Sequence, residues 1–238
     1  MLSAANREFQ ILDGRNDGVE PCIKFPGFDN ASLSSSYKAG TVLFTEGQDV
    51  RGVFLVRTGN VKLSVSSAQG RVIVLRVARP GDWVGLSSVL KNHPYESSAE
   101  TISQSQLTFL SLSSFTAAMA QNPDFNQIVM AALNRDLSET IELIRMVLLS
   151  KSAEEKLARL LIKWCEDSGV QEPSGIRITH NFTQHQIAEM ISVSRETVTR
   201  LLSDFSKRGI VTLESDSLLI SSRDLLSAML SCKERVDR

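Results

Sequence analysis

Three textures of apolar and polar positions follow one another along the chain. From about residue 38 to 112, short apolar runs alternate with glycine: Thr41-Val42-Leu43-Phe44, Val53-Phe54-Leu55-Val56-Arg57, Val61-Lys62-Leu63-Ser64-Val65, Arg71-Val72-Ile73-Val74-Leu75-Arg76-Val77 and Leu107-Thr108-Phe109-Leu110-Ser111-Leu112. Many short β-branched runs bounded by turn residues predict a sandwich or barrel-like roll, and the second and third runs, joined through Gly59, read as a hairpin. From Pro123 to Leu149 the period changes. Phe125, Val129, Leu133, Leu137, Ile141, Ile144 and Leu148 recur at steps of four or three, which predicts one continuous helix about 40 Å long. Asn122 is its N-cap and Pro123 occupies the first helical position, where no backbone donor is needed. The part from Leu137 to Leu148 is the most heptad-like. Residues 1 to about 30, broken by Gly14, Pro21, Pro26 and Gly27, predict an irregular or partly helical lead-in.

After a hinge at Ser150-Lys151-Ser152 a third texture begins. Ser152 caps a helix over Ala153–Cys165, with Glu155 at the capping-box position and Leu157, Leu160, Leu161 and Trp164 turned inward. Glu166–Gly175 reads as a polar loop and Ile176–Ile178 as a short strand. Residues 183–210 then read as two short helices hinged at a sharp turn. Ile187 and Ile191 define the buried face of the first, and Ala188 beside them is small enough for a close crossing. Val193 plugs the turn, and Ser194 caps a second helix whose buried stripe is Val198, Leu201, Leu202 and Phe205. Lys207, Arg208 and Gly209 suit its C-terminal end. Val211–Leu213 and Ser217–Ile220 form a β-wing, and Asp224–Leu230 a final helix.

Subtracting the buried stripe leaves Arg195, Glu196, Thr199 and Arg200 outward on the second helix. Arginine can bond guanine O6 and N7 together, glutamate can accept from a cytosine amine, and a threonine methyl can touch the thymine methyl. A helix-turn-helix reads bases with this part of its second helix. Thr183, Gln184, His185, Ser194 and Thr197 flank that face as candidate phosphate contacts. The competing reading is a plain surface helix in which Glu196 and Arg200 form an i,i+4 ion pair.

Composition narrows the alternatives. The chain has 238 residues, enough for one large or two modest cores, with 26 basic against 27 acidic side chains. Residues 151–238 carry 13 basic and 13 acidic residues. A nucleic-acid binder is usually basic, so this neutrality predicts weak non-specific binding, with affinity resting on a few placed contacts and on dimerisation. No apolar run approaches the roughly 20 residues of a membrane span, and the N-terminus lacks a signal-peptide pattern. Cys22, Cys165 and Cys232 are widely separated and give neither a disulfide framework nor metal-ligand spacing. The expected location is the reducing cytoplasm. No Walker loop, dinucleotide glycine pattern, His-Glu-x-x-His or nucleophile elbow occurs, which argues against an enzyme.

The run Ser194-Arg195-Glu196-Thr197-Val198-Thr199-Arg200 resembles the recognition helix of the cyclic-AMP receptor/fumarate-nitrate regulator (CRP/FNR) family of bacterial transcription factors. In the first branch an Arg-Glu pair and a later Arg read a TGTGA-like half-site. Those roles would fall on Arg195, Glu196 and Arg200. Thr199 departs from that branch's glycine and is closer to the serine of the second branch, whose half-site is nearer TTGAT. Gly40, Glu46-Gly47, Gly52–Val56, Gly59, Val61 and Pro80-Gly81-Asp82-Trp83-Val84-Gly85 resemble the same family's β-roll.

The resemblance implies an α+β fold: an N-terminal cyclic-nucleotide-binding-type β-roll with its lead-in over 1–122, a dimerisation helix and hinge over 123–150, and a C-terminal winged helix-turn-helix over 151–238. It implies a homodimer paired along Phe125, Val129, Leu133, Leu137, Ile141, Ile144 and Leu148, with recognition helices about 34 Å apart on double-stranded DNA. It also implies contact with RNA polymerase, for which Glu166–Gly175 is the positional candidate.

The effector pocket would involve Val84, Gly85, Leu86, Ser87, Ser97 and Ser98. The family's ribose-holding glutamate and phosphate-neutralising arginine align with Leu86 and Ser97. Leucine cannot accept a ribose hydroxyl, and serine cannot neutralise a buried phosphate. Cyclic AMP of the usual kind is therefore not expected, and Cys22 standing alone argues against an iron–sulfur cluster. His93 reads as a solvated loop residue, and no metal ligand set is expected. A stand-alone small-ligand or cyclic-nucleotide-binding module remains the alternative function.

Overall fold

Strand β3 (Gly52–Thr58) explains why its run of apolar residues does not alternate with polar ones. In the computed structural model, which describes residues 32–70, 72–179, 182–214 and 217–231, both faces of β3 are covered. Phe54 and Val56 point into the roll beside Phe44, Val61, Leu63, Tyr95 and Leu107. Val53 and Leu55 point the other way, onto helices, beside Trp83, Leu110, Phe115 and Phe125. A strand buried on both faces reads as a continuous apolar run.

The roll is built from two four-stranded antiparallel sheets. One holds β1 (Ser32–Tyr37), β8 (Ser105–Ser111), β3 and β6 (Trp83–Val84), in that order. The other holds β2 (Val42–Phe44), β7 (Ser98–Thr101), β4 (Val61–Ser66) and β5 (Val72–Ala78). The five strands expected from the apolar texture are present, but the hairpin through Gly59 is not. β3 pairs with β8 and β6, whereas β4 pairs with β5 and β7. Gly59, at φ 80°, turns the chain from one sheet into the other, and a Cβ there would lie 2.2 Å from Ser105 Oγ and 2.5 Å from the Gln104 carbonyl oxygen. Ser105 and Gln104 therefore leave no room for a side chain at this two-residue corner.

Two short helices, α1 (Leu86–Lys91) and α2 (Leu112–Gln121), lead to the long helix α3 (Pro123–Ile144). Asn122 Oδ1 accepts from the Asp124 and Phe125 amides at 3.0 and 3.2 Å, the expected cap. Phe125 packs edge-on to Trp83 and Phe115, with ring centroids 5.8 and 5.5 Å away. The apolar stripe of α3 is divided between two uses. Phe125 and Val129 are 0% and 1% exposed on the chain's own roll, and Leu133 lies partly against the same core. Phe125 and Val129 are thereby removed from the set expected to face a partner. Leu137, Ile141 and Ile144 are 58%, 41% and 50% exposed. The helix also departs from a single α-helix to Leu149: residues Arg145–Leu149 form a π-helical turn that carries Leu148, 73% exposed.

A polar knot joins the roll to α3. Arg76 Nη2 donates to the Trp83 carbonyl at 2.6 Å and lies 3.0 Å from Asp136 Oδ1, while Nη1 is 3.5 Å from Asp82 Oδ2. Arg135 Nη1 reaches Asp82 Oδ1 at 2.7 Å. Burial pushes the Asp136 carboxyl up to about 6 against the pull of Arg76, with Asp82 and Glu139 adding to the rise.

Beyond the bend, Ser152 Oγ caps α4 (Ala153–Ser168) by accepting from the Glu155 amide at 3.2 Å. Glu155 reaches back to the Lys151 amide at 2.9 Å, so the expected capping box closes one residue early. The segment expected as a polar loop over Glu166–Gly175 is the end of α4 followed by strand β9 (Gly169–Glu172) and a tight turn into β10 (Gly175–Thr179). Val170 and Gln171 are both exposed on this short hairpin, so no alternation marked it as strand. The lead-in, Cys22, His180 and Cys232 lie outside the described residues.

A carboxyl whose folded pKa is raised supports the fold fully below its unfolded value, near 3.8, and loses that support as pH rises through about 6. Asp136→Asn keeps the uncharged shape at every pH. Urea unfolding of the two proteins is expected to coincide near pH 4 and to diverge by roughly 1–2 kcal/mol in favour of the variant by pH 7.5. Parallel stability curves across that interval would refute the raised carboxyl.

Candidate nucleic-acid interface

Two helices carry the candidate residues, α5 (Gln184–Ile191) and α6 (Arg195–Lys207). Ile187, Ala188, Ile191, Val198, Leu202 and Phe205 are buried with Leu157, Leu161 and Trp164 of α4 in one core. Ser192 turns the chain in the left-handed region (φ 55°), and the Val193 amide donates back to the Ala188 carbonyl at 3.0 Å. Ser194 Oγ then accepts from the Thr197 amide at 3.2 Å and starts α6. At the far end Gly209 (φ 69°) donates to the Ser206 carbonyl and Ile210 to that of Phe205, at 3.0 and 2.9 Å. This pair of bonds is the Schellman stop, with Ile210 and Phe205 sharing the core.

Strands β11 (Val211–Leu213) and β12 (Ser217–Ile220) complete a sheet in the order β11-β12-β10-β9, and α7 (Arg223–Ser231) closes the chain's described part. Arg177 on β10 holds this wing together. It meets both Glu172 oxygens at 2.6 and 3.1 Å, Ser217 Oγ at 2.9 Å, and Glu214.

Arg195, Glu196, Thr199 and Arg200 are all exposed on the first two turns of α6. Among the described residues, no carboxylate lies within salt-bridge distance of Arg195 or Arg200, so the Glu196–Arg200 ion pair of the competing reading is not formed. The contrast with the other arginines of this region is sharp: Arg159, Arg177, Arg208 and Arg223 are each paired with a carboxylate of the chain. The Glu196 carboxyl is held below its usual range by the backbone amide at the helix start and by Ser194, which keeps it an acceptor at neutral pH. Thr199 Oγ1 donates toward Gln184 Oε1 at 2.5 Å and the Arg195 carbonyl at 3.0 Å.

The flanking candidates are partly committed to the fold. Thr183 forms a reciprocal capping box with Gln186, and the Ser194 and Thr197 hydroxyls lie 3.1 Å apart at the start of α6. His185 is exposed, with Nε2 3.4 Å from Glu189 Oε1.

Glu189 itself was not legible as a functional residue in the sequence. It is 12% exposed and lies 3.3 Å from Lys62 Nζ on β4, where Lys62 is 11% exposed. A second pair, Arg79–Asp167 at 2.9 Å, bridges the same two parts, and Val74 of β5 is buried in the core of the helix-turn-helix. Non-alternation in Val72–Leu75 was the only signal of this contact. The six pocket candidates are not gathered in the same way. Leu86 is buried under the helices and Val84 inside the roll, where Gly85 adjoins Tyr95. Ser87 donates to Glu96, Ser98 Oγ accepts from the Glu46 amide, and Ser97 is half-buried. A cleft of about 390 Å³ lies elsewhere, between β5, the π-helical turn and α4, and none of the six lines it. His93 is exposed. Among the described residues no group of three or more His, Cys, Asp or Glu could hold a metal ion, and no helix is long and apolar enough to cross a membrane.

Comparison with known proteins matches both halves. Residues 34–122 fit the cyclic nucleotide-binding domain, and residues 155–229 the Crp-like helix-turn-helix domain. A CRP-like cAMP-activated global transcriptional regulator of Mycobacterium tuberculosis is 29% identical over 210 residues, covering 88% of this chain and 93% of that protein. The anaerobic regulatory protein of Bacillus subtilis is 25% identical, covering 86% and 87%. Among solved structures, FixK2 from Bradyrhizobium japonicum superposes with a TM-score of 0.72 at 20% identity, over 82% of this chain and 96% of that one. A CooA mutant from Carboxydothermus hydrogenoformans gives the same score at 23% identity, over 84% and 88%. The roll, long helix and C-terminal helix-turn-helix are thus a shared architecture.

The Lys62–Glu189 contact can be weighed directly. Lys62→Met leaves a nearly buried carboxylate without its cation, and a double-mutant cycle with Glu189→Gln is expected to return a coupling of about 1–3 kcal/mol in chemical unfolding. Additive losses would mean that the two side chains do not hold the parts together.

Proposed function

Because the chain belongs to the CRP/FNR family of DNA-binding transcription regulators, which are not enzymes, we propose that it works as a homodimer on a near-palindromic DNA site. Arg195, Glu196, Thr199 and Arg200 read the bases of each half-site. Thr183, Gln184, His185, Ser194 and Thr197 set the register on the phosphates. The observation that carries this reading is the pair of arginines, Arg195 and Arg200, that meet no carboxylate among the described residues and flank Glu196 at the start of an exposed helix. That set matches the inner G·C pair common to TGTGA-like and TTGAT-like half-sites, with Glu196 and Arg200 acting on it jointly.

Dimerisation uses the free half of the α3 stripe, Leu137, Ile141 and Ile144, together with Leu148. An apolar face of this kind costs free energy in water unless covered, and a parallel twin helix supplies the matching surface. The working units are the roll with its lead-in (1–122), the dimer helix and hinge (123–150) and the DNA-reading part (151–238). The protein acts in the cytoplasm and contacts RNA polymerase from its exposed surface. The Mycobacterium tuberculosis relative is named as cAMP-activated. Here Leu86 is buried in the core and Ser97 carries no charge, so the roll is a sensor without the usual cyclic-AMP ligands.

Arg200→Ala is expected to cost about 1–3 kcal/mol on a site selected from random DNA and to relax preference at one base pair. An equal loss on random duplex would assign Arg200 to phosphate alone. Leu137→Glu with Ile144→Glu is expected to convert the dimer to a folded monomer in sedimentation and to abolish palindrome binding; an unchanged dimer would place the interface elsewhere.

A further inference from the structure

Thr199 stands out among the four reading residues because its hydroxyl is already engaged. A threonine hydroxyl carries one proton. Here that proton faces two acceptors, Gln184 Oε1 at 2.5 Å and the Arg195 carbonyl at 3.0 Å. The second is the i−4 carbonyl, a bond that selects one of the two χ1 positions open to a helical threonine. The first reaches across from α5, 15 residues earlier in sequence. Together they draw the hydroxyl back along α6 and toward α5. The methyl branch then takes a different staggered position, away from both acceptors, on a residue that is exposed.

We propose that Gln184 is a positioning residue that fixes Thr199 so that its methyl group, and not its hydroxyl, discriminates a base, making thymine the letter favoured there. This rests on the DNA-reading role given above. With its proton committed, the hydroxyl has nothing to offer a purine N7, a guanine O6 or a thymine O4. The methyl is left to pack on the thymine C5-methyl, the apolar contact that distinguishes thymine in the major groove. Gln184 contributes through Thr199: its carbonyl oxygen is the acceptor, and its amide group stays available as a donor to a neighbouring phosphate.

The test uses the full-length protein and the duplex it selects from random DNA. Each thymine is replaced singly by uracil, which deletes the methyl and nothing else. Wild type is expected to lose about fourfold in affinity at one position per half-site, the ratio that burying a methyl-sized group corresponds to, and so is Thr199→Val, whose branched side chain keeps one χ1 position on a helix without needing the hydrogen bond. Thr199→Ser, which keeps only the hydroxyl, should show no loss at that position. Gln184→Met should bring the thymine-to-uracil ratio there toward one while leaving the ratios at other thymines unchanged; Gln184→Glu, which restores an acceptor, should recover it. A merely structural glutamine would lower affinity at all positions alike. The proposal is overturned if uracil costs nothing anywhere in the half-site, or if Thr199→Val loses the discrimination and Thr199→Ser keeps it. Failure of the wild type to select any sequence would overturn the DNA-reading role, and this proposal with it; selection of a site with normal Arg200 dependence but no thymine effect would overturn this proposal alone.

Discussion

The seating of Phe125 between Trp83 and Phe115 is the contact on which the rest of the molecule depends. It fixes the first two turns of α3 to the outer face of the β3 sheet, so the long helix leaves the roll in one direction. Beyond Val129 the helix is tied again to β5 through Arg76 and Asp136 before its exposed apolar positions begin. Leu137, Ile141, Ile144 and Leu148 are left exposed, while Leu143 and Met146 on the other side turn back toward β5 and α4. An aromatic wedge at one end of the helix therefore creates an unsatisfied face at the other. The polar knot around Arg76 reinforces the same junction from the far side of β5, with Asp82 serving Arg76 and Arg135 together.

The reading head obeys a related economy of placement. Its two helices are delimited by hydrogen bonds that are all local: the side chains of Thr183 with Gln186 and of Ser194 with Thr197, and the backbone stop at Gly209. Such caps each contribute about 1 kcal/mol and set the orientation of the helix start to within a residue. Precision at the start of α6 is what base recognition needs, since all four candidate readers lie there. The head is also joined to the roll by Val74, Lys62 and Arg79. A change in β4 or β5 therefore bears on α5 directly, without passing through the hinge at Ser150–Ser152.

Much of this was legible in the residues, and the failures share a cause. The α3 period, the Asn122 and Ser194 caps, the Gly209 stop and the outward quartet of α6 are local patterns, set by residues within one or two turns. β1 was missed because its serine-rich sequence carries no alternation; it is an edge strand paired only with β8. The Gly59 corner was read as a hairpin because sequence shows a turn but not that β3 and β4 each pair with strands far along the chain instead of with each other. Burial divided the α3 stripe after Leu133, where its more heptad-like part begins, but the period alone does not say which half the roll covers. Lys62 and Glu189 lie 127 residues apart, so only the folded chain brings them together.

One consequence follows from the way Arg159, Arg177, Arg208 and Arg223 are neutralised by the chain's own carboxylates. Counter-ion release on binding scales with the cations that reach phosphate, and among the described residues of the DNA-reading part four of the six arginines are already paired before any duplex arrives. Bulk chromosome is then a poor sink for the molecule. In the role proposed, time lost on irrelevant stretches would shorten, and sliding would give way to repeated fresh encounters.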